Sequence, residues 1–225
     1  MAIQYANGKI VTDGLVLSLN AADKNSYPGS GTTWTDISGN NNTGTLTNGP
    51  TFNSGNGGSI VFDGSDDYVT ASSSSQFAFG TGNFTLECWI YPMSFSTYTH
   101  MIALPNQNVF ALKANVSDGA IYFYSPSYTT YGYTSGWTLA LNNWQQVIFK
   151  RESSTGYAFL NAVAKGSLGA FTNNFTAQTL NIHNGYFGAE MAECRMSIIR
   201  IYNIALTTDE ITQNYNAQKS RFGLK

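Results

Sequence analysis

The chain has 225 residues, a formal net charge of −2 and 11% charged side chains, against 42% hydrophobic and 14% aromatic residues. That balance supplies no basic stripe for nucleic acid, and no run approaches the roughly 20 apolar residues of a membrane-spanning helix. Charge lies well under the roughly 25% of an average soluble domain, so Asn, Ser, Thr, Gly and Tyr must carry the solvation.

The opening MAIQYANGKIVTDG holds no apolar core of signal-peptide length. This predicts synthesis in a cytoplasm, for a protein that leaves on a released particle or for an ordinary cytosolic one. In that setting Cys88 and Cys194 are expected to be buried free thiols. With His100 and His183 remote in sequence, they do not make a zinc site. A strand-like run at 15–19 leads into a long irregular segment over 20–58, punctuated by Tyr27-Pro28-Gly29, Ser38-Gly39-Asn40 and Asn48-Gly49-Pro50. Trp34 and Phe52 are its expected anchors.

Further strand-like runs fall near 59–63 and 67–71, and the turn between them, FDGSDDY, places Asp63, Asp66 and Asp67 within five residues. Oxygen-only side chains at that density suit calcium; the alternative is that Asp63-Gly64 and the following aspartates simply make the turn. Phe84, Leu86, Cys88 and Ile90 then alternate with Thr85, Glu87 and Trp89, the period of a strand with one buried face. Glu87 is a candidate for the concave face of its sheet, without an evident partner. Glu190 and Glu193, three apart, would point to opposite faces of a strand.

Runs near 109–113 and 120–124 follow. Tyr122, Phe123, Tyr124, Tyr128, Tyr131, Tyr133 and Trp137 then crowd one segment among Ser, Thr and Gly. Such rings stack on the apolar faces of sugars while hydroxyls and amides bond the polar edge. They equally make rigid protein contacts or fill a core. The strand pattern resumes near 145–150, 157–161, 179–183 and 196–202, with turn residues between. Regular short strands of this kind predict an all-β, two-sheet antiparallel sandwich in one domain over 1–225.

The last predicted element is a helix near 208–217. Thr207 and Glu210 have capping-box spacing, and Leu206 and Ile211 are placed for a hydrophobic staple. Ile211 and Tyr215 fall one turn apart, on the outside of the sandwich. The expected role is a terminal closure. The segments 1–14 and 218–225 are expected to contact a neighbouring subunit.

GGSIVFDGSDDYVTA (57–71) and IIRIYNIALTTDEITQNYNAQKSRFG (198–223) resemble the opening and closing signatures of the laminin-G-like, concanavalin A-type jelly roll. NFTLECWIYP (83–92) and NNWQQVIFKRESSTGYAFLNAVAKG (142–166) are similar to its inner strands. Residues 13–52 and 214–223 resemble the versions of this domain in virion proteins of tailed bacteriophages. One departure is Cys194, where a Gly commonly precedes the penultimate strand.

The resemblance implies a jelly-roll sandwich and allows a calcium site at one rim. The Glu-x-Asp-x-x-Glu pattern of the retaining glucanases on this scaffold is absent, and no G-x-S-x-G elbow supports a serine triad. The expectation is a non-enzymatic exterior virion protein of a tailed phage, a capsid decoration or cement protein held by other virion proteins and able to meet host glycans. The alternatives are a tail-fibre or receptor-binding lectin module and, third, a glycan depolymerase. The candidate sugar-binding residues are Tyr122, Tyr124, Tyr128, Tyr131, Tyr133 and Trp137; no cofactor other than calcium at Asp63, Asp66 and Asp67 is expected.

Overall fold

The computed structural model describes residues 8–95, 98–104, 110–115, 120–124, 130–184 and 192–225. Its strands form two sheets. Sheet 1 runs in the order β14 (Val163–Ala170), β13 (Thr155–Leu160), β12 (Gln145–Glu152), β7 (Phe84–Pro92), β16 (Glu193–Tyr202), β5 (Ser59–Asp63) and β4 (Thr51–Asn53), with β1 (Leu15–Asn20) also paired to β16. Sheet 2 runs β11 (Thr130–Thr138), β10 (Ala120–Tyr124), β9 (Phe110–Asn115), β8 (Tyr98–Leu104), β15 (Gln178–Ile182), β6 (Tyr68–Ser74), β3 (Gly44–Thr47) and β2 (Thr33–Trp34). Every described pairing is antiparallel. The two-sheet sandwich expected from the strand pattern is the fold observed.

The alternating positions of both sheets meet in one core. Leu86, Cys88, Ile90, Val147, Phe149, Ile199 and Ile201 of sheet 1 pack against Leu46, Val69, Ala71, Leu180 and Ile182 of sheet 2. Trp34 is fully buried there, and Phe52 packs on the core beside Tyr27, ring centroids 5.6 Å apart. Both anchors therefore act as expected. The segment they hold is more regular than its turn residues suggested, because it contributes β2, β3 and β4 to the sheets. Its loop over 36–42 is pinned by the buried Asp36, whose carboxylate accepts from the amides of Ser18, Ser38 and Asn42, each at 2.9 Å.

Arg151 is also fully buried. Its guanidinium donates to the carbonyls of Gly80 (2.9 Å), Gly82 (2.6 Å) and Asn173 (2.6 Å) and lies within 6 Å of the Phe84, Phe171 and Phe175 rings. Burial pushes its pKa down to about 10. The side chain ties two loops over one end of the core.

Cys88 and Cys194 are free and buried, on neighbouring strands. Cys88 lies opposite Ile199 and Cys194 opposite Pro92, a displacement of four residues along β7, or roughly 13 Å at strand rise. That exceeds disulfide reach. Cys194 lies inside β16, so the departure from the family's Gly falls within a strand and not at a turn.

The helix α1 (Thr208–Gln218) begins as the sequence predicts. Thr207 Oγ1 accepts from Glu210 N, Glu210 Oε2 accepts from Thr207 N at 2.8 Å, and Asp209 and Glu210 favour the helix dipole. Leu206 and Ile211 are both buried in one cluster with Ile148, Phe159 and Tyr202 on the outer face of sheet 1. A short 3-10 turn over Lys219–Phe222 follows, and Phe222 stacks on Trp89 with centroids 4.3 Å apart. The C-terminal element therefore roofs sheet 1. Among the described residues no helix is long and apolar enough to cross a membrane.

Candidate functional site

β7 is buried on both sides, where its alternation predicted one buried face. Phe84, Leu86, Cys88 and Ile90 face the inter-sheet core, which turns Thr85, Glu87 and Trp89 to the other side of sheet 1, beneath α1. Glu87 is fully buried there. Its Oε1 accepts from Arg200 Nη1 (3.0 Å), Gln146 Nε2 (2.9 Å) and Trp89 Nε1 (3.2 Å), and its Oε2 accepts from Asn214 Nδ2 of α1 (2.9 Å). Asn214 also donates to the Tyr202 hydroxyl (2.9 Å) and accepts from Val11 N (2.8 Å). The Tyr202 phenol is pushed up by burial and by the Glu87 charge.

A general acid or base must come within reach of substrate or of one intervening water. Glu87 is spent on holding helix, sheet and N-terminal segment together. The concave-face position expected for it is therefore corrected: alternation put Glu87 in the outward phase, and the helix covers that phase. Its partner Arg200 comes from the β7–β16 register, which pairs the two residues directly. Glu190 lies outside the described residues. Glu193 is exposed at the start of β16, opposite Asp63 in the β5–β16 register.

The acidic turn joins β5 in sheet 1 to β6 in sheet 2. One oxygen from each of Asp63, Asp66 and Asp67 lies within 4.8 Å of the others. The turn is also built by these groups: Asp63 Oδ1 accepts from Ser65 N (2.8 Å), and Asp67 Oδ2 accepts from Asp63 N (3.0 Å). Gly64 is required twice over, by a φ of +79° and by the Glu193 amide nitrogen, which a Cβ would meet at 2.8 Å. Behind the turn, the buried His183 ring lies between the carbonyl oxygens of Asp67 (3.0 Å) and Ala192 (2.7 Å). Burial holds its pKa below the ordinary range. Asp67 is buried while Asp63 and Asp66 are exposed. Burial first, and then the two neighbouring charges, push its carboxyl up against the opposing Asp63 amide.

The aromatic residues singled out in the sequence belong to the far end of sheet 2. Tyr122 and Tyr124 are in β10, and Tyr131, Tyr133 and Trp137 in β11; the register sets Tyr122 opposite Tyr133. Tyr128 lies outside the described residues.

The other end of sheet 2 carries a feature that single strands do not reveal. Thr33 pairs with Thr45, Thr45 with Thr70 and Thr70 with Asn181, which makes one row across β2, β3, β6 and β15. Their neighbours Trp34, Leu46, Val69, Ala71, Leu180 and Ile182 are buried in the core, so the row faces solvent. Thr47 and Tyr68 pair in the adjoining row, both half-buried. The alternation in YVTAS was a usable signal; the register that aligns the four strands was not.

Residues 63–212 match the family model described as the concanavalin A-like lectin/glucanases superfamily. The chain belongs to that superfamily. The match leaves out β1 to β4, although β1 completes sheet 1 of this superfamily domain and β2 and β3 extend sheet 2.

Solved structures agree on the fold. The chain is similar to Trypanosoma rangeli sialidase in complex with sialic acid (TM-score 0.73, 14% identity, 95% of this chain and 34% of the sialidase). It is also similar to domain 4 of AbnA, an extracellular GH43 arabinanase from Geobacillus stearothermophilus, in complex with arabinotriose (0.72, 19% identity, 89% of this chain and 98% of that one). The binding domain of Paraclostridial Mosquitocidal Protein 1 aligns at 0.75 and 14% identity, over 95% of this chain and 56% of the other. The chain thus spans about a third of the sialidase's length. Comparison with curated protein sequences yields no match.

Proposed function

We propose that the chain is a non-catalytic, carbohydrate-binding sandwich carried on the outside of a tailed-phage particle, as a capsid decoration protein. The observation that carries this reading is the unequal use of polar groups on the two outer faces. Sheet 1 buries Glu87 in a hydrogen-bonded network under α1, while sheet 2 turns hydroxyls and an amide to solvent. Carbohydrate binding draws further support from the likeness to domain 4 of AbnA, which holds arabinotriose, and to the mosquitocidal protein's binding domain. The virion location rests on the resemblance of residues 13–52 and 214–223 to phage virion domains and on the low surface charge. The terminal segments 1–14 and 218–225 are the proposed contacts with other virion proteins.

Calcium belongs to the same reading. Asp63, Asp66 and Asp67 offer the all-oxygen donor set that a hard cation prefers, and a cation would offset the burial and the neighbouring charges that together raise Asp67. Calcium should lift the melting temperature and chelator should lower it, by binding the folded state alone; no shift in either direction removes calcium from the account.

Two experiments test the function. A glycan array probed with the 225-residue chain is expected to retain it, and silence across the array contradicts carbohydrate binding. Immunogold labelling of purified particles is expected to decorate the capsid. Label on the tail would make the chain a receptor-binding module instead, and unlabelled particles would remove the virion assignment. Incubation with the retained polysaccharide should release no shorter products; release would establish a depolymerase.

A further inference from the structure

Building on the carbohydrate-binding reading, we propose that the solvent-facing row Thr33, Thr45, Thr70 and Asn181 on sheet 2 is the seat of the glycan, and that this glycan is uncharged. The strands that form the row read TW, GTLT, YVTASSS and QTLNI, without one Asp, Glu, Lys, Arg or His. The acidic turn lies immediately before Tyr68, at the start of β6. Along these four strands a sialylated or uronate-bearing chain would find no cationic partner, whereas a neutral one needs none.

The hydroxyls are available. In the loop over 36–42 the side chains of Asp36, Ser38, Asn40 and Asn42 are committed to the protein's own backbone. Among the described residues no hydrogen bond takes up the side chains of Thr33, Thr45, Thr70 or Asn181. A threonine hydroxyl both donates and accepts, as does a primary amide, which matches the double character of every sugar hydroxyl. Threonine is also stiff at χ1 in a strand, so the row is preorganised and loses little freedom when a ligand arrives.

Four strands at ~4.8 Å spacing make a row on the order of 14 Å long, enough for several sugar rings laid across the strands. Tyr68, half-buried beside Thr47, borders it with an aromatic face. The opposite outer face is unavailable, because α1 and Phe222 cover it.

The test is an array of immobilised neutral oligosaccharides, with sialylated and uronate-bearing ones beside them, probed with the wild-type chain, with Thr45→Val/Thr70→Val and with Thr212→Val on α1. Valine keeps the shape and strand preference of threonine, so melting temperatures should agree. The expected result is retention on neutral oligosaccharides, unchanged between low and high salt, weakened about tenfold or more in the double variant and unaffected by Thr212→Val. Should the double variant fail to fold, Thr33→Val in the two-residue strand β2 carries the same comparison.

Wild-type affinity in the double variant, or salt-sensitive preference for acidic glycans, overturns the site while leaving carbohydrate binding intact. Silence on every glycan overturns both. A wild-type dimer that Thr45→Val/Thr70→Val converts to a monomer would assign the face to a second copy of the chain and likewise overturn the proposal.

Discussion

On the outer face of sheet 1, Glu87, Gln146, Arg200 and Tyr202 lie under α1 and bond one another and the helix, whereas on the outer face of sheet 2 Thr33, Thr45, Thr70 and Asn181 meet solvent. Both faces come from the same strand alternation. What separates them is the roof. Once α1 closes over sheet 1, an ion pair and its hydrogen-bond partners hold the lid in register, because any one of them left alone would be a buried unpaired group. The open face has no such demand, and the four strands of its threonine row carry no Asp, Glu, Lys, Arg or His.

The sharpest way to break the closed face is Glu87→Ala. It strands Arg200, Trp89, Gln146 and Asn214 together, and urea unfolding should show a loss of about 3–5 kcal/mol. Glu87→Leu/Arg200→Met should recover most of that loss, since replacing both partners removes the unpaired charge. Next in size is Phe222→Ala, which uncovers Trp89 and should cost about 3 kcal/mol, with a red shift in tryptophan emission. A loss under about 1 kcal/mol for either single variant would mean that the roof is dispensable.

Smaller effects come from the helix cap and the buried phenol. Thr207→Ala removes the capping box and should cost about 1 kcal/mol. Tyr202 carries a pKa raised above 10.0 by burial, so the folded state holds its proton more tightly than the unfolded state does. Its contribution is complete below pH 10.0 and is lost as pH rises through the folded value. Tyr202→Phe should therefore flatten the alkaline loss of stability, read from melting temperatures along a pH series; an unchanged slope would contradict this. On the open face, Thr45→Val/Thr70→Val should move stability by no more than about 0.5 kcal/mol, which is the mirror image of Glu87→Ala.

Much of the closed face was legible in the chain itself. Thr207-x-x-Glu210 and the flanking Leu206 and Ile211 announce the helix, its start and its apolar side, because capping and stapling are local. The long strands at 15–20, 59–63, 84–92, 145–152 and 193–202 carry enough alternation to be read. Others are not so marked: β2, β3 and β4 have two to four residues each, too few for a period, and β14 is an exposed edge strand interrupted by Gly166 and Gly169. The fate of Glu87 was hidden for a different reason. Its alternation is local, but the helix that covers it lies 127 residues away at Asn214. The threonine row was hidden likewise, since it exists only through the pairing of four strands from three separate parts of the sequence.

Amide hydrogen exchange of the 225-residue chain, with and without the neutral oligosaccharide that the array retains, tests the contrast between the two faces most directly. The account predicts slowed exchange along β3, β6 and β15, with α1 unchanged. Slowed exchange confined to α1 and the strands beneath it would contradict it.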